Sequence, residues 1–151
     1  MKNIFDQADC SDFIKRINNL TEQSLPKWGK MSVSQMLAHC NVTYELIYEP
    51  EKHKKPNFFT KFLMKKFVKP KVTNEIPYKP SLPTGPMFII KEEKNFEEER
   101  KRLIGFIQKT QQLGTEAFDG KVSFSFGKLN AKEWNNMMAK HLEHHLNQFE
   151  V

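Results

Sequence analysis

Trp134, Met138, Leu142, Leu146 and Phe149 recur at a spacing that only an α-helix gathers onto one side. With Trp134 as the zero direction and about 100° per residue, the other four fall between roughly 40° and 120°. A single apolar stripe has to be buried against another element, and this points to a helical bundle. The same helix carries His141, His144 and His145, three of the five histidines in the chain. On that wheel His145 lies near 20°, His141 near 340° and Gln148 near 320°, inside or beside the apolar arc. His144 is turned roughly 100° from His145 and is expected at the rim. Asn135 also falls inside the arc, an exception placed in the first turn.

A further imidazole faces inward from an early helix. Ser32, with Gln35 three residues later, has the capping-box spacing that starts a helix. On it His39 sits among Val33, Met36, Thr43, Leu46 and Ile47, all within about 140° on one side. Helices of a bundle turn their apolar faces together, so His39, His141 and His145 can converge and share a metal ion. Three protein ligands with open positions left over suit a catalytic metal better than a structural one. The competing use of a buried imidazole is a plain hydrogen-bonding network, commonly to a backbone carbonyl. The metalloprotease motif is absent, because Glu143 follows His141 by two positions where H-E-x-x-H requires one. Gln148, one turn beyond His145, is a candidate to orient a ligand or bound solvent, or else a residue at the rim of the core. Cys40 is about 100° from His39 and is expected to pack. Tyr44 and Glu45 point well off that direction, and His53, among lysines, is expected to be solvated.

The rest of the chain fills in the bundle. Ser11 or Asp9 is expected to open a first helix carrying Phe13, Ile14, Ile17 and Leu20, with a connection over 21–30. The second helix should run from Val33 to Tyr48 and stop before Pro50. A short basic helix is expected over 57–68. Pro70, Pro77, Pro80, Pro83 and Pro86 then predict an extended crossing over 70–90, long enough to suggest a functional cover or an interface. Asn95 caps a third long helix with Glu97, Glu98 and Glu99 in its first turn, and Phe96, Leu103, Ile104, Ile107 and Leu113 form its apolar side. Lys121–Phe126 alternates like a short strand, and Asn130 with Glu133 opens the last helix. The expected architecture is all-α: a four-helix bundle with an additional short helix and a long Pro-rich crossover, residues 1–151 forming one domain.

Composition narrows the classes. No apolar run approaches the roughly 20 residues needed to span a bilayer. The N-terminus, with Asp6, Asp9 and Asp12, lacks a signal-peptide pattern. Two cysteines make no disulfide framework, and a reduced cytoplasmic location is the default expectation. The net charge of +6 is concentrated in Lys52, Lys54, Lys55, Lys61, Lys65, Lys66, Lys69 and Lys71, interleaved with phenylalanines. The ordinary reading is a solvated lysine face whose aromatic side packs on the domain. A basic membrane or nucleic-acid contact is the lesser one.

With these residues in view, the chain resembles a known superfamily. The entry Trp28-Gly29-Lys30-Met31-Ser32 before His39, and the terminal Lys140-His141-Leu142-Glu143-His144-His145-Leu146-Asn147-Gln148-Phe149, are similar to the DinB/YfiT-like superfamily of metalloenzymes. Phe126-Gly127-Lys128-Leu129-Asn130 with Trp134, and Leu82-Pro83-Thr84, fit its small uncharacterised branch. The resemblance covers nearly the whole chain. It implies a DinB-like four-helix bundle, a homodimer, and a divalent metal held by His39, His141 and His145. It also implies an enzyme of the thiol-dependent S-transferase or hydrolase kind, acting on a small-molecule substrate, with a low-molecular-weight thiol as co-substrate in the transferase case. Zinc, nickel and iron all accept imidazole ligands. A double positive charge that neutral imidazoles leave uncompensated would polarise water or acidify a thiol. A non-catalytic metal- or ligand-binding bundle is the alternative.

Overall fold

The computed structural model describes residues 1–151. Its long helices are α1 (Gln7–Asn18), α2 (Val33–Tyr48), α5 (Phe96–Leu113) and α6 (Ala131–Gln148). Between α2 and α5 lie α3 (Phe58–Leu63), a π-helical turn (Met64–Val68) and α4 (Lys69–Thr73), which run on from one another. A two-stranded antiparallel hairpin, β1 (Val122–Ser123) and β2 (Gly127–Lys128), precedes α6. The architecture is the helical bundle that the apolar periodicity predicts. No helix is long and apolar enough to cross a membrane.

The helix starts follow from their caps. Ser32 accepts from Gln35 N while Gln35 reaches back to Ser32 N, and Asn130 and Glu133 repeat this reciprocal box at the start of α6. Asn95 accepts from Glu98 N, with the three glutamates in the first turn of α5. The first helix starts earlier than Ser11 or Asp9 would place it. Asp6 is the cap, accepting from Ala8 N and Asp9 N, so Asp9 and Ser11 lie within the helix.

The core is one cluster to which every long helix contributes. Phe13 and Ile17 come from α1, Met36, Leu37 and Tyr44 from α2, Leu103 and Ile107 from α5, and Trp134, Met138, Leu142 and Leu146 from α6. Each large apolar side chain buried this way contributes roughly 1.5–3 kcal/mol. Helix α2 is buried on nearly every side from Val33 to Tyr44. It packs against both α5 and α6, and α5 and α6 both also pack on α1. Leu113, grouped with the apolar side of α5, is exposed at the C-terminal end of that helix.

Two expectations for the central segment are corrected. The chain is still helical at 70–73: Pro70 follows directly on the π turn at Met64–Val68, and the helical backbone runs through it. The extended crossing therefore begins at Asn74 and is interrupted by a 3-10 turn at Pro86–Phe88. The aromatic side of the lysine segment does not pack on the domain: Phe58, Phe59, Phe62 and Phe67 are all more than half exposed. Only α4 is fastened to the bundle. Lys140 of α6 donates to the carbonyls of Lys71 (2.8 Å) and Asn74 (2.7 Å) and to Asn74 Oδ1 (2.8 Å), and Asn136 Nδ2 donates to Thr73 O at 2.8 Å. These bonds set where the crossing leaves the bundle, and so where it passes over the histidines.

Candidate metal centre

The three inward histidines meet. One ring nitrogen from each of His39, His141 and His145 lies within 4.8 Å of the others. The ring centroids form a nearly equilateral triangle, 4.9 Å between His39 and His141, 4.6 Å between His39 and His145, and 4.7 Å between His141 and His145. Two come from neighbouring turns of α6 and one from the facing side of α2, as the wheel arithmetic requires. His39 and His145 are buried, and His141 keeps partial exposure.

Each imidazole is held from behind by an oxygen. His39 Nδ1–H donates to the Phe88 carbonyl at 2.8 Å. His145 Nδ1–H donates to Gln148 Oε1 at 2.8 Å, and the orientation of that amide is fixed because its Nε2 donates to Trp28 O at 2.7 Å. His141 Nδ1 lies 3.1 Å from Thr43 Oγ1. A carbonyl and an amide oxygen can only accept, so His39 and His145 carry their protons on Nδ1 and leave Nε2 as a lone pair. His39 Nε2 and His141 Nε2 are 2.9 Å apart. Free of an ion, His141 can bridge that gap with an Nε2 proton while the Thr43 hydroxyl donates to its Nδ1. Were a divalent ion held here, Thr43 Oγ1 would accept from His141 Nδ1–H, and the Nε2 lone pairs of His39, His141 and His145 would be the donors left for it.

Electrostatics keep the cluster neutral. Burial depresses the pKa of His39, takes that of His145 down to about 3 and that of His141 well below its ordinary value; neighbouring imidazoles add to the effect. Neutral imidazole is the form that ligates a metal. The donor set fits a divalent transition metal: three nitrogens, second contacts to oxygen, and no charged group holding the rings in another role.

The remaining candidates fall into place around the cluster. Gln148 positions His145 and belongs behind the site, so its predicted orienting role acts on a ligand residue. His144 stands at the rim, between Trp28 (5.6 Å) and Tyr78 (5.6 Å), and is not one of the converging nitrogens. Cys40 is buried in the core beside Met36, and burial raises its thiol pKa. Glu45 turns away into an ion pair with Arg102 and a hydrogen bond with His53. His53 is therefore paired, at 2.8 Å from Glu45, where solvation was expected. Asn135 accepts from Ile4 N and donates to Lys2 O, which explains a polar residue inside the apolar arc.

Three supporting groups were not identified from sequence. Thr43 was counted only as part of an apolar face; its signal was the one-turn spacing after His39. The carbonyls of Phe88 and Trp28 leave no side-chain signature at all. The entry Trp28-Gly29 does gain a physical reason. Gly29 has φ +84, and a Cβ there would stand 2.8 Å from Gln148 Nε2. Only glycine lets the backbone come close enough for Trp28 O to hold Gln148.

Residues 2–151 match the family described as "Protein of unknown function (DUF1569)", and the chain belongs to that family. No curated protein and no solved structure is significantly similar to it.

Proposed function

We propose that this DUF1569 member is a divalent-metal-dependent enzyme of the DinB/YfiT-like superfamily. In this reading it acts on a small molecule by thiol transfer or hydrolysis, with His39, His141 and His145 as the metal ligands. One observation carries the reading: three neutral imidazoles from two helices converge, two of them with Nδ1 locked outward onto acceptor-only oxygens. A network built only to satisfy buried polar groups needs no such common focus. Nor does it need Gly29 and Gln148 spent on fixing one ring.

When bound, a divalent ion held only by neutral donors supplies Lewis acidity toward a water or a thiol. The protein's own part is positional. Phe88 O, Thr43 Oγ1 and Gln148 Oε1 orient the three rings, and such partners make the ligands more basic as well as fixing their direction. The Phe88 ring packs on His39 (5.5 Å) and His141 (6.1 Å) and shields that flank from water.

The test is elemental analysis of protein purified without a histidine tag, combined with turnover on thiol-acceptor and ester or amide panels. The expected result is about one divalent ion per chain, lost in His39→Ala and His141→Ala, and a turnover that disappears with it. Unchanged metal content in both variants overturns the ligand assignment. A stoichiometric ion with no turnover on either panel overturns the enzymatic half.

A further inference from the structure

We propose that the α3–α4 segment is a docking surface for an anionic lipid bilayer, independent of the metal centre. Residues 52–74 hold eight lysines and no Asp or Glu, so their formal charge of +8 exceeds the +6 of the whole chain. The rest of the molecule is thus slightly acidic. Of these lysines, Lys52 pairs with Glu49 and Lys69 with Glu133; Lys54, Lys55, Lys61, Lys65, Lys66 and Lys71 make no ion pair. Beside them stand Phe58, 89% exposed, Phe59, 67%, Phe62, 52%, and Phe67, 56%. Leu63 and Val68 are also exposed. Contiguous large apolar side chains left in water on a soluble fold mark an interaction site.

The helix geometry gathers them. Phe58, Phe59, Phe62 and Leu63 lie within roughly 140° of one another, with Lys61 on the other side. A regular helix would then carry Phe67 roughly 180° from Phe58. The π turn at Met64–Val68, where Lys69 N bonds to Met64 O, advances less per residue and reduces that offset. Lys140 and Asn136 anchor only the α4 end, so α3 stands away from the bundle with its phenylalanines outward.

Charge decides the occupant. Two copies of this face would bring +8 against +8, so self-association through it is opposed. Nucleic acid would answer the lysines and could stack on the phenylalanines, but it would leave Leu63 and Val68 without an apolar partner. A bilayer with anionic headgroups answers both halves: lysines at the headgroups, and phenylalanine, leucine and valine at the acyl boundary.

Full-length protein is sedimented with vesicles of phosphatidylcholine alone and of phosphatidylcholine containing phosphatidylserine, at low salt. Preferential pelleting with the anionic vesicles is expected, weakening as salt rises. Lys61→Gln and Lys65→Gln should each lower partitioning about fivefold. Phe58→Ser with Phe59→Ser should lower it about tenfold or more. The thermal midpoint checks folding, and if the serine variant is unfolded the two glutamine variants carry the test alone. Equal pelleting with both vesicles, or none, overturns the proposal. So does capture of a single-stranded oligonucleotide without vesicle binding, or self-association that the serine variant abolishes without vesicle binding.

Discussion

Gly29 and Gln148 lie so close that a Cβ on the glycine would stand 2.8 Å from the Gln148 side-chain nitrogen. That approach lets the Trp28 carbonyl fix the amide, and the amide in turn fixes His145. A connecting loop is thereby coupled to a ring on the far helix.

Gly29→Ala tests the coupling. A left-handed backbone costs an L-residue roughly 1–2 kcal/mol, and the new methyl displaces Gln148. Zinc affinity measured by competition with a chelating dye should fall about 10–100-fold, as for the loss of other partners behind a ligand. Gly105→Ala is the control: it lies inside α5 with open space around it, so it should add about 0.5–1 kcal/mol and leave affinity unchanged. Equal affinity in Gly29→Ala and the native protein would show that the loop does not orient His145.

Thr43→Val removes a hydroxyl and keeps the shape. It should weaken zinc binding by about tenfold or more, because His141 Nδ1 loses its partner. Circular dichroism should show a native fold. An affinity equal to that of the native protein would mean that Thr43 serves α2 packing only.

Acid should destabilise the metal-free protein through the same rings. The folded pKa values of His39, His141 and His145 lie below the ordinary value, chiefly from burial, that of His145 at about 3. Above pH of about 6.5 neither state is protonated and these groups contribute no pH dependence. Below it the unfolded chain takes up protons that the folded cluster refuses, so stability falls as pH drops from about 6.5 toward 3, by up to about 1.4 kcal/mol per pH unit for each histidine. Urea titrations at pH 7, 6 and 5 check this; His145→Gln should flatten the slope. A midpoint independent of pH over that range would contradict the burial of neutral rings.

Much of this was readable from residue spacing, because the physics is local or periodic. The capping boxes at Ser32 and Asn130 and the acidic turn after Asn95 marked helix starts that the structure keeps. The inward direction of His39, His141 and His145 followed from 3.6-residue geometry alone. What escaped depends on tertiary placement. Helix α6 buries a second, polar side, Asn136 and Lys140, whose partners are carbonyls some sixty residues earlier. The apolar stripe gives no hint of it. Pro70 reads as a helix breaker in the sequence, and the π turn that precedes it, with the helix continuing beyond, leaves no periodic signal. His53 looked solvated because its partner, Glu45, lies on the previous helix. The phenylalanines of α3 were expected to pack, and no periodicity could show that nothing lies opposite them.

The central claim is tested most directly by a crystal structure of zinc-soaked, tag-free protein with anomalous data collected at the metal edge. The account predicts one anomalous peak per chain, about 2.0–2.1 Å from a ring nitrogen of each of His39, His141 and His145, on the side away from Phe88 O, Thr43 Oγ1 and Gln148 Oε1. Density showing the three rings hydrogen-bonded to one another with no peak between them, at saturating zinc, would contradict it.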